Sequence, residues 1–191
     1  MSVMQAINPA TGDLIATYPQ HTASEVDQKI DIAGRAFAGW SNTGIDERAA
    51  LLPRLATVLE ANKERYARLM TAEMGKPIRE ARAEVEKCAW ACRYYAEHGP
   101  AYLADDIVRT EAHKAFVAFR PLGVVLAVMP WNFPFWQVLR FAIPSLLAGN
   151  AALLKHASNV PGSALALEEA LREAGLPDGV FQTLLIPSGM V

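Results

Sequence analysis

Residues 124–134 read VVLAVMPWNFP, an apolar run from Val124 to Met129 that Pro130 and Asn132 cut short. A run this brief and rich in valine has the length of a buried strand and falls far below the ~20 residues a membrane span requires. Behind it Pro134 opens a helix at its first turn, with Trp136, Leu139, Arg140 and Ile143 along it. Pro144 kinks that helix and Gly149-Asn150 ends it. Ala151 to Lys155 is a second short apolar strand. Pro161 opens another helix, with Leu165, Leu167, Ala170 and Leu171 broadly periodic and Gly175 and Pro177 closing it, and Val180 to Ile186 is a third strand. Strand, helix, strand, helix, strand implies parallel strands joined by right-handed crossovers, as in a nucleotide-binding half-sheet.

Upstream the pattern is different. Asn8-Pro9-Ala10-Thr11-Gly12 is a turn cluster between two short β-favouring stretches, Ala6-Ile7 and Leu14 to Tyr18, which predicts a hairpin. Ser24 has the character of an N-cap, followed by Val26, Ile30, Ala33, Phe37 and Trp40 on one helical face. Ala49, Leu52, Leu55 and Leu59 repeat the period, and Asn62 caps a helix carrying Tyr66, Leu69 and Met70 that Gly75 terminates. Pro77 precedes a long helix marked by Ile78, Ala81, Val85, Cys88, Cys92 and Tyr95, which Gly99-Pro100 brings to an end. Ile107 to Thr110 and Ala115 to Phe119 predict a second hairpin. The fold expected is therefore α/β, with N-terminal helices and hairpins (1–104 and 105–120) leading into a Rossmann-like parallel βαβαβ half-sheet (121–191).

Composition narrows the function. The chain of 191 residues is 52% apolar and 20% charged, enough for a core, and its net charge of −2 argues against nucleic acid as a partner. No basic, apolar leader opens it and no run is long enough to span a membrane; with two cysteines one helical turn apart, this suggests a reducing, cytoplasmic setting. The four histidines show no metal-ligand spacing, so no metal is expected. Cys88 and Cys92 occupy apolar helical positions and read as structural thiols, not nucleophiles.

Ligands of open parallel sheets gather beyond the carboxyl ends of the strands. Two polar segments fall there, Met129-Pro130-Trp131-Asn132-Phe133-Pro134 and Lys155-His156-Ala157-Ser158-Asn159. Framed by aromatics and prolines, the Asn132 amide can donate to a developing oxyanion without acquiring charge. On local pattern alone, a turn residue capping the next helix is the stronger reading. Lys155 can reach a diphosphate, a ribose or only water, and no GxGxxG is present. Phe133, Trp136 and Arg140 suggest an aromatic wall with a guanidinium suited to a carboxylate, against the plainer reading of a surface arginine.

Five segments in order, Asn8 to Gly12, Glu73-Met74-Gly75-Lys76-Pro77, Pro121 to Val124, Pro130 to Pro134, and Leu147 to Ala151 with Lys155, make the chain resemble the N-terminal part of an NAD(P)-dependent aldehyde dehydrogenase. Its character is nearest to the bacterial succinate-semialdehyde dehydrogenases, given Glu73 to Pro77 and Tyr95-Ala96-Glu97-His98-Gly99-Pro100. The resemblance reverses two of the local readings. It implies that Asn132 stabilises the thiohemiacetal oxyanion and that Arg140, eight residues on, holds a substrate carboxylate beside Phe133 and Trp136. It also implies that Met129, Pro130, Trp131 and Asn132 border the nicotinamide half of the cofactor site, while Lys155, His156, Ala157 and Ser158 border the adenosine ribose. Ser158 stands where many NAD-preferring members carry a glutamate, which implies that NADP is accepted along with NAD. Members are more than twice this length and place their nucleophilic cysteine and glutamate base farther on. The resemblance thus implies aldehyde oxidation by a longer homo-oligomeric protein, with the 105–120 hairpin used between subunits and this stretch alone inactive. The alternative is a non-catalytic binding or oligomerisation module.

Overall fold

The computed structural model describes residues 2–191. Strands β1 (Val3–Ile7) and β2 (Leu14–Pro19) form the first antiparallel hairpin. Four helices follow: α1 (Ala23–Trp40), α2 (Ile45–Ala61), α3 (Lys63–Met74) and α4 (Ile78–Tyr102). A two-residue antiparallel pair, β3 (Asp106–Ile107) and β4 (Phe116–Val117), precedes the alternating unit β5 (Val124–Met129), α5 (Trp136–Leu147), β6 (Ala151–His156), α6 (Pro161–Glu173) and β7 (Phe181–Thr183). The last three strands form one parallel sheet in the order β5-β6-β7. The α/β architecture and the parallel half-sheet expected from the sequence are both present.

The sheet separates two apolar layers. In a strand, side chains alternate between faces, and residues paired across a parallel ladder share a face. Ala127, Ala152 and Leu154 face the main core, which is filled by α2, α4, α5 and α6. Leu153 faces the other way with Leu184 and Ile186, against Ala33 of α1. That second layer does not extend to β5. Leu126 and Val128 pair with Leu153 and Lys155, yet they are 48% and 55% exposed, and only Ala127 of β5 is buried. The expectation of a buried first strand is thus corrected: β5 lies at the sheet edge, and α1, although it touches β5, does not cover Leu126 and Val128.

Other differences are local. The N-cap of α1 is Thr22, not Ser24, because Thr22 and Glu25 form a reciprocal capping box, which the Ser24 position does not. On α1, Ala33 and Trp40 are buried, while Ile30 is exposed because α1 is covered only along a narrow strip. Helix α5 begins at Trp136, later than Pro134, and runs through Pro144 to Leu147. The third strand is only Phe181–Thr183, although Val180 and Leu184 to Ile186 are buried around it.

The Gly99-Pro100 pair does not stop α4, which continues to Tyr102. Gly99 serves close packing instead: a Cβ added there would overlap Leu147 Cδ2 of α5. Proline then costs one intrahelical bond in the final turn, where helix hydrogen bonding is already ending. Gly99→Ala gains up to ~1 kcal/mol of helix propensity but overpacks the α4–α5 contact by about 1–3 kcal/mol. A net loss of stability is expected, read as a lower urea midpoint; an unchanged midpoint would contradict the packing role.

Candidate functional site

Beyond the carboxyl end of β5 the chain turns through Pro130–Phe135 before entering α5, and beyond β6 it turns through Ala157–Val160 before α6. The pairing Met129↔His156 places these two exits side by side. Pro130, Trp131, Asn132, Phe133 and Ser158 are exposed at this mouth, Met129 and Ala157 are half-buried, and the next residue after Phe133, Pro134, is buried.

Strand alternation sends Lys155 and His156 to opposite faces. Lys155 shares a face with Val128; it is buried, and among the described residues its side-chain hydrogen-bond partner is Ser188 Oγ at 3.3 Å. His156 points into the core. Its Nδ1 accepts from Ala157 N at 2.8 Å, which leaves the proton on Nε2 to donate to the Pro134 carbonyl at 2.9 Å. The ring therefore ties the β6 exit to the β5 exit and holds the two turns in register. Burial lowers the His156 pKa below the ordinary 6.5, so the ring is neutral at pH 7.

Arg140 is exposed one helical turn beyond Trp136. The surface ion pair that a plain reading would assign to it is absent among the described residues, where the pairs are Lys63–Glu86, Arg65–Glu169, Lys76–Glu84, Arg82–Glu64 and Arg93–Glu60. Trp136 is half-buried and carries Lys87 Nζ 4.0 Å above its ring.

The site rests on two buried carboxylates to which the sequence assigned no role, Glu73 being only part of a motif and Glu84 not singled out. Glu84 of α4 accepts from Phe135 N and Trp136 N at 2.9 Å each through Oε1, while Oε2 is paired with Lys76. Lys76 Nζ also donates to the backbone oxygen of Asn132 at 3.0 Å and lies 3.7 Å from the centre of the Phe133 ring. Glu73 of α3 does the corresponding work at α6, accepting from Gly162 N at 2.7 Å and from Ser163 N and Oγ at 2.9 and 2.7 Å. Burial raises the Glu73 pKa, and the hydrogen bonds from Ser163 and Gly162 oppose that rise. Both glutamates lie on core-facing stripes, Glu84 with Ala81 and Cys88 and Glu73 with Tyr66 and Met70. An acid on an apolar stripe was the available signal. A third tie closes the opposite end of the sheet, where Asn150 Oδ1 accepts from Leu122 N and Gly123 N at 2.6 and 3.1 Å.

The aldehyde dehydrogenase family model matches residues 2–189. The chain belongs to the aldehyde dehydrogenase family. It is 53% identical over 180 residues to a Synechocystis protein named "Probable succinate-semialdehyde dehydrogenase" with NADP(+), covering 94% of this chain and 40% of that one. It is 47% identical over 176 residues to the Escherichia coli succinate semialdehyde dehydrogenase named for NAD(P)+, covering 92% of this chain and 38% of the relative. Among solved structures, succinic semialdehyde dehydrogenase from Streptococcus pyogenes, crystallised with NADP+, superposes with a TM-score of 0.93 at 34% identity, covering 98% of this chain and 41% of that one. The chain thus spans about 40% of the length of the curated dehydrogenases it matches. Among the described residues no cluster of metal-ligating side chains occurs, and no helix is long and apolar enough to cross a membrane.

Cys88 and Cys92, like Glu84, are buried on α4. Burial raises the Cys88 thiol well above its usual range, with the nearby Glu84 charge adding to the effect, and pushes Cys92 up to about 12. Neither thiol ionises at neutral pH, in keeping with the structural role read from the sequence.

A pH dependence follows from His156. Its folded-state pKa is depressed, so its contribution to stability is complete above the unfolded value near 6.5 and is lost as the pH falls through the folded value. Unfolding midpoints are expected to drop below about pH 6.5, and His156→Asn should weaken that dependence. His21 shifts in the same direction and keeps part of the slope in the variant. Identical pH profiles for parent and variant would contradict the buried neutral ring.

Proposed function

We propose that this stretch supplies the oxyanion donor, part of the cofactor site and one wall of the substrate site of an NADP-accepting succinate-semialdehyde dehydrogenase. The observation that carries the reading is the exposed Asn132 on a turn whose backbone is held from beneath by Lys76, Glu84 and His156. An amide fixed in this way meets developing negative charge without reorganising. In this reading a thiolate from outside this stretch adds to the aldehyde carbon, and Asn132 Nδ2 donates to the carbonyl oxygen as it becomes anionic. Trp136 and Phe133 flank the aldehyde chain, and Arg140, which has no ion pair among the described residues, takes its distal carboxylate.

The residues at the β6 exit suit the cofactor. Lys155 is a buried ammonium with three donors and one hydroxyl partner among the described residues, which leaves donors for ribose oxygens. Ser158 is exposed and uncharged, so a 2′-phosphate meets no carboxylate at that position. Glu84 and Glu73 already fill the starts of α5 and α6, the usual phosphate-binding position in such sheets, which accords with the missing GxGxxG. NADP or NAD, when bound, supplies the hydride acceptor. Met129, Pro130 and Trp131 would border its nicotinamide end. The exposed Ile107, Phe116 and Val117 of the 105–120 hairpin suit contact with a second subunit.

The complete protein carrying this stretch is expected to reduce NADP with succinate semialdehyde. Asn132→Ala should lower kcat by about a hundredfold or more, and an unchanged kcat would remove Asn132 from the mechanism. Arg140→Ala should raise KM for the semialdehyde far more than for an uncharged aldehyde of similar length. Equal changes for the two substrates would eliminate the carboxylate contact.

A further inference from the structure

We propose that Lys76 and Glu84 are positioning residues for the oxyanion donor, a buried ion pair that fixes the backbone on both sides of Asn132 and so sets the direction of its amide. The inference rests on the role of Asn132 proposed above.

The argument starts from how the pair itself is held. Gly75 turns the chain out of α3 in the left-handed region, with φ of 74°, and Thr71 Oγ1 donates to the Lys76 carbonyl at 2.8 Å. Lys76 is thereby directed under the Pro130–Phe135 turn from a loop that is anchored to α3. Glu84 stands on the core-facing stripe of α4, with its side chain 1% exposed and that of Lys76 6% exposed. Neither charge has water to compensate it, so each depends on the other and on the turn above.

Both charges then bond to the backbone of that turn. The ammonium takes the Asn132 oxygen, and the carboxylate takes the amides of Phe135 and Trp136. With His156 on the Pro134 oxygen, the backbone is restrained at Asn132, Pro134, Phe135 and Trp136. Removing the ammonium frees the peptide group attached to the Asn132 Cα, and the side-chain amide swings with it. Helix α5 has no capping side chain of its own at Phe135, so its start depends on the Glu84 bonds. The bonds span 51, 52 and 56 residues of sequence, so they fix this turn against the helical layer as well as within itself.

The test uses the complete enzyme with succinate semialdehyde and NADP. Lys76→Met paired with Glu84→Gln removes both charges together, so that neither is left alone in the interior. Glu84→Asp by itself keeps a carboxylate in the interior with Lys76 but draws it back from Phe135 and Trp136, and serves as the milder variant. The double variant is expected to lose about tenfold or more in kcat, as displacement of a reacting group does, with KM for both substrates changed less than twofold. In an Asn132→Ala background the same pair of substitutions should cost nothing further, because the pair acts through Asn132. An additive loss, a loss confined to KM, or a normal kcat in the double variant would overturn the proposal. So would failure of both variants to fold, which would assign the pair to the fold alone. If Asn132→Ala itself leaves kcat unchanged, it is the catalytic reading that fails, and the inference falls with it.

Discussion

Two helices of the parallel unit begin inside the protein, and a helix cannot begin there unless something accepts its first amide protons. Neither α5 nor α6 has a capping side chain at its own N-terminus. Glu84 and Glu73 meet the need from α4 and α3, each accepting from two consecutive backbone amides. A carboxylate at a helix start also gains from the helix dipole, and for Glu73 the hydrogen bonds from Ser163 and Gly162 offset part of what burial takes away. The helical layer and the sheet are thereby joined by charge-assisted bonds at the two points where strands hand over to helices. In open sheets these are also the points nearest the ligand.

This arrangement separates two jobs that many nucleotide-binding sheets combine. Elsewhere a glycine-rich turn leaves the helix N-terminus free for a phosphate. Here the corresponding position at α6 is closed by protein, and Gly162 has no room for a side chain because Glu73 Oε1 and Tyr18 Oη occupy the space. The turns above are held by these bonds, and the residues at the mouth, Asn132 and Ser158, remain exposed.

The parallel unit was legible because its signals are local. Short apolar strands, prolines at helix starts and glycines at helix ends fall within a few residues of what they specify. At Gly99 a distant contact overruled the local signal: it reads as a helix stop but answers to Leu147, on another helix. The face of β5 was not legible either, since alternation tells which residues share a side but not whether α1 reaches across to cover it. At the candidate site, position and resemblance single out Asn132, Lys155 and Arg140 in the sequence. Lys76 was seen only as part of a motif and Glu84 not at all, because their partners lie 56 and 51 residues away. A buried acid on an apolar stripe marks that something polar must meet it, but not what.

The silent thiols of α4 have a chemical consequence. An aldehyde is an electrophile, and any accessible thiolate competes for it by forming a hemithioacetal. Cys88 and Cys92 are held protonated and out of contact with solvent, one of them partly by the same Glu84 that supports the Pro130–Phe135 turn. In the reading proposed above, where a thiolate from outside this stretch attacks an aldehyde, the two unreactive thiols of α4 leave that chemistry without a competitor from this helix.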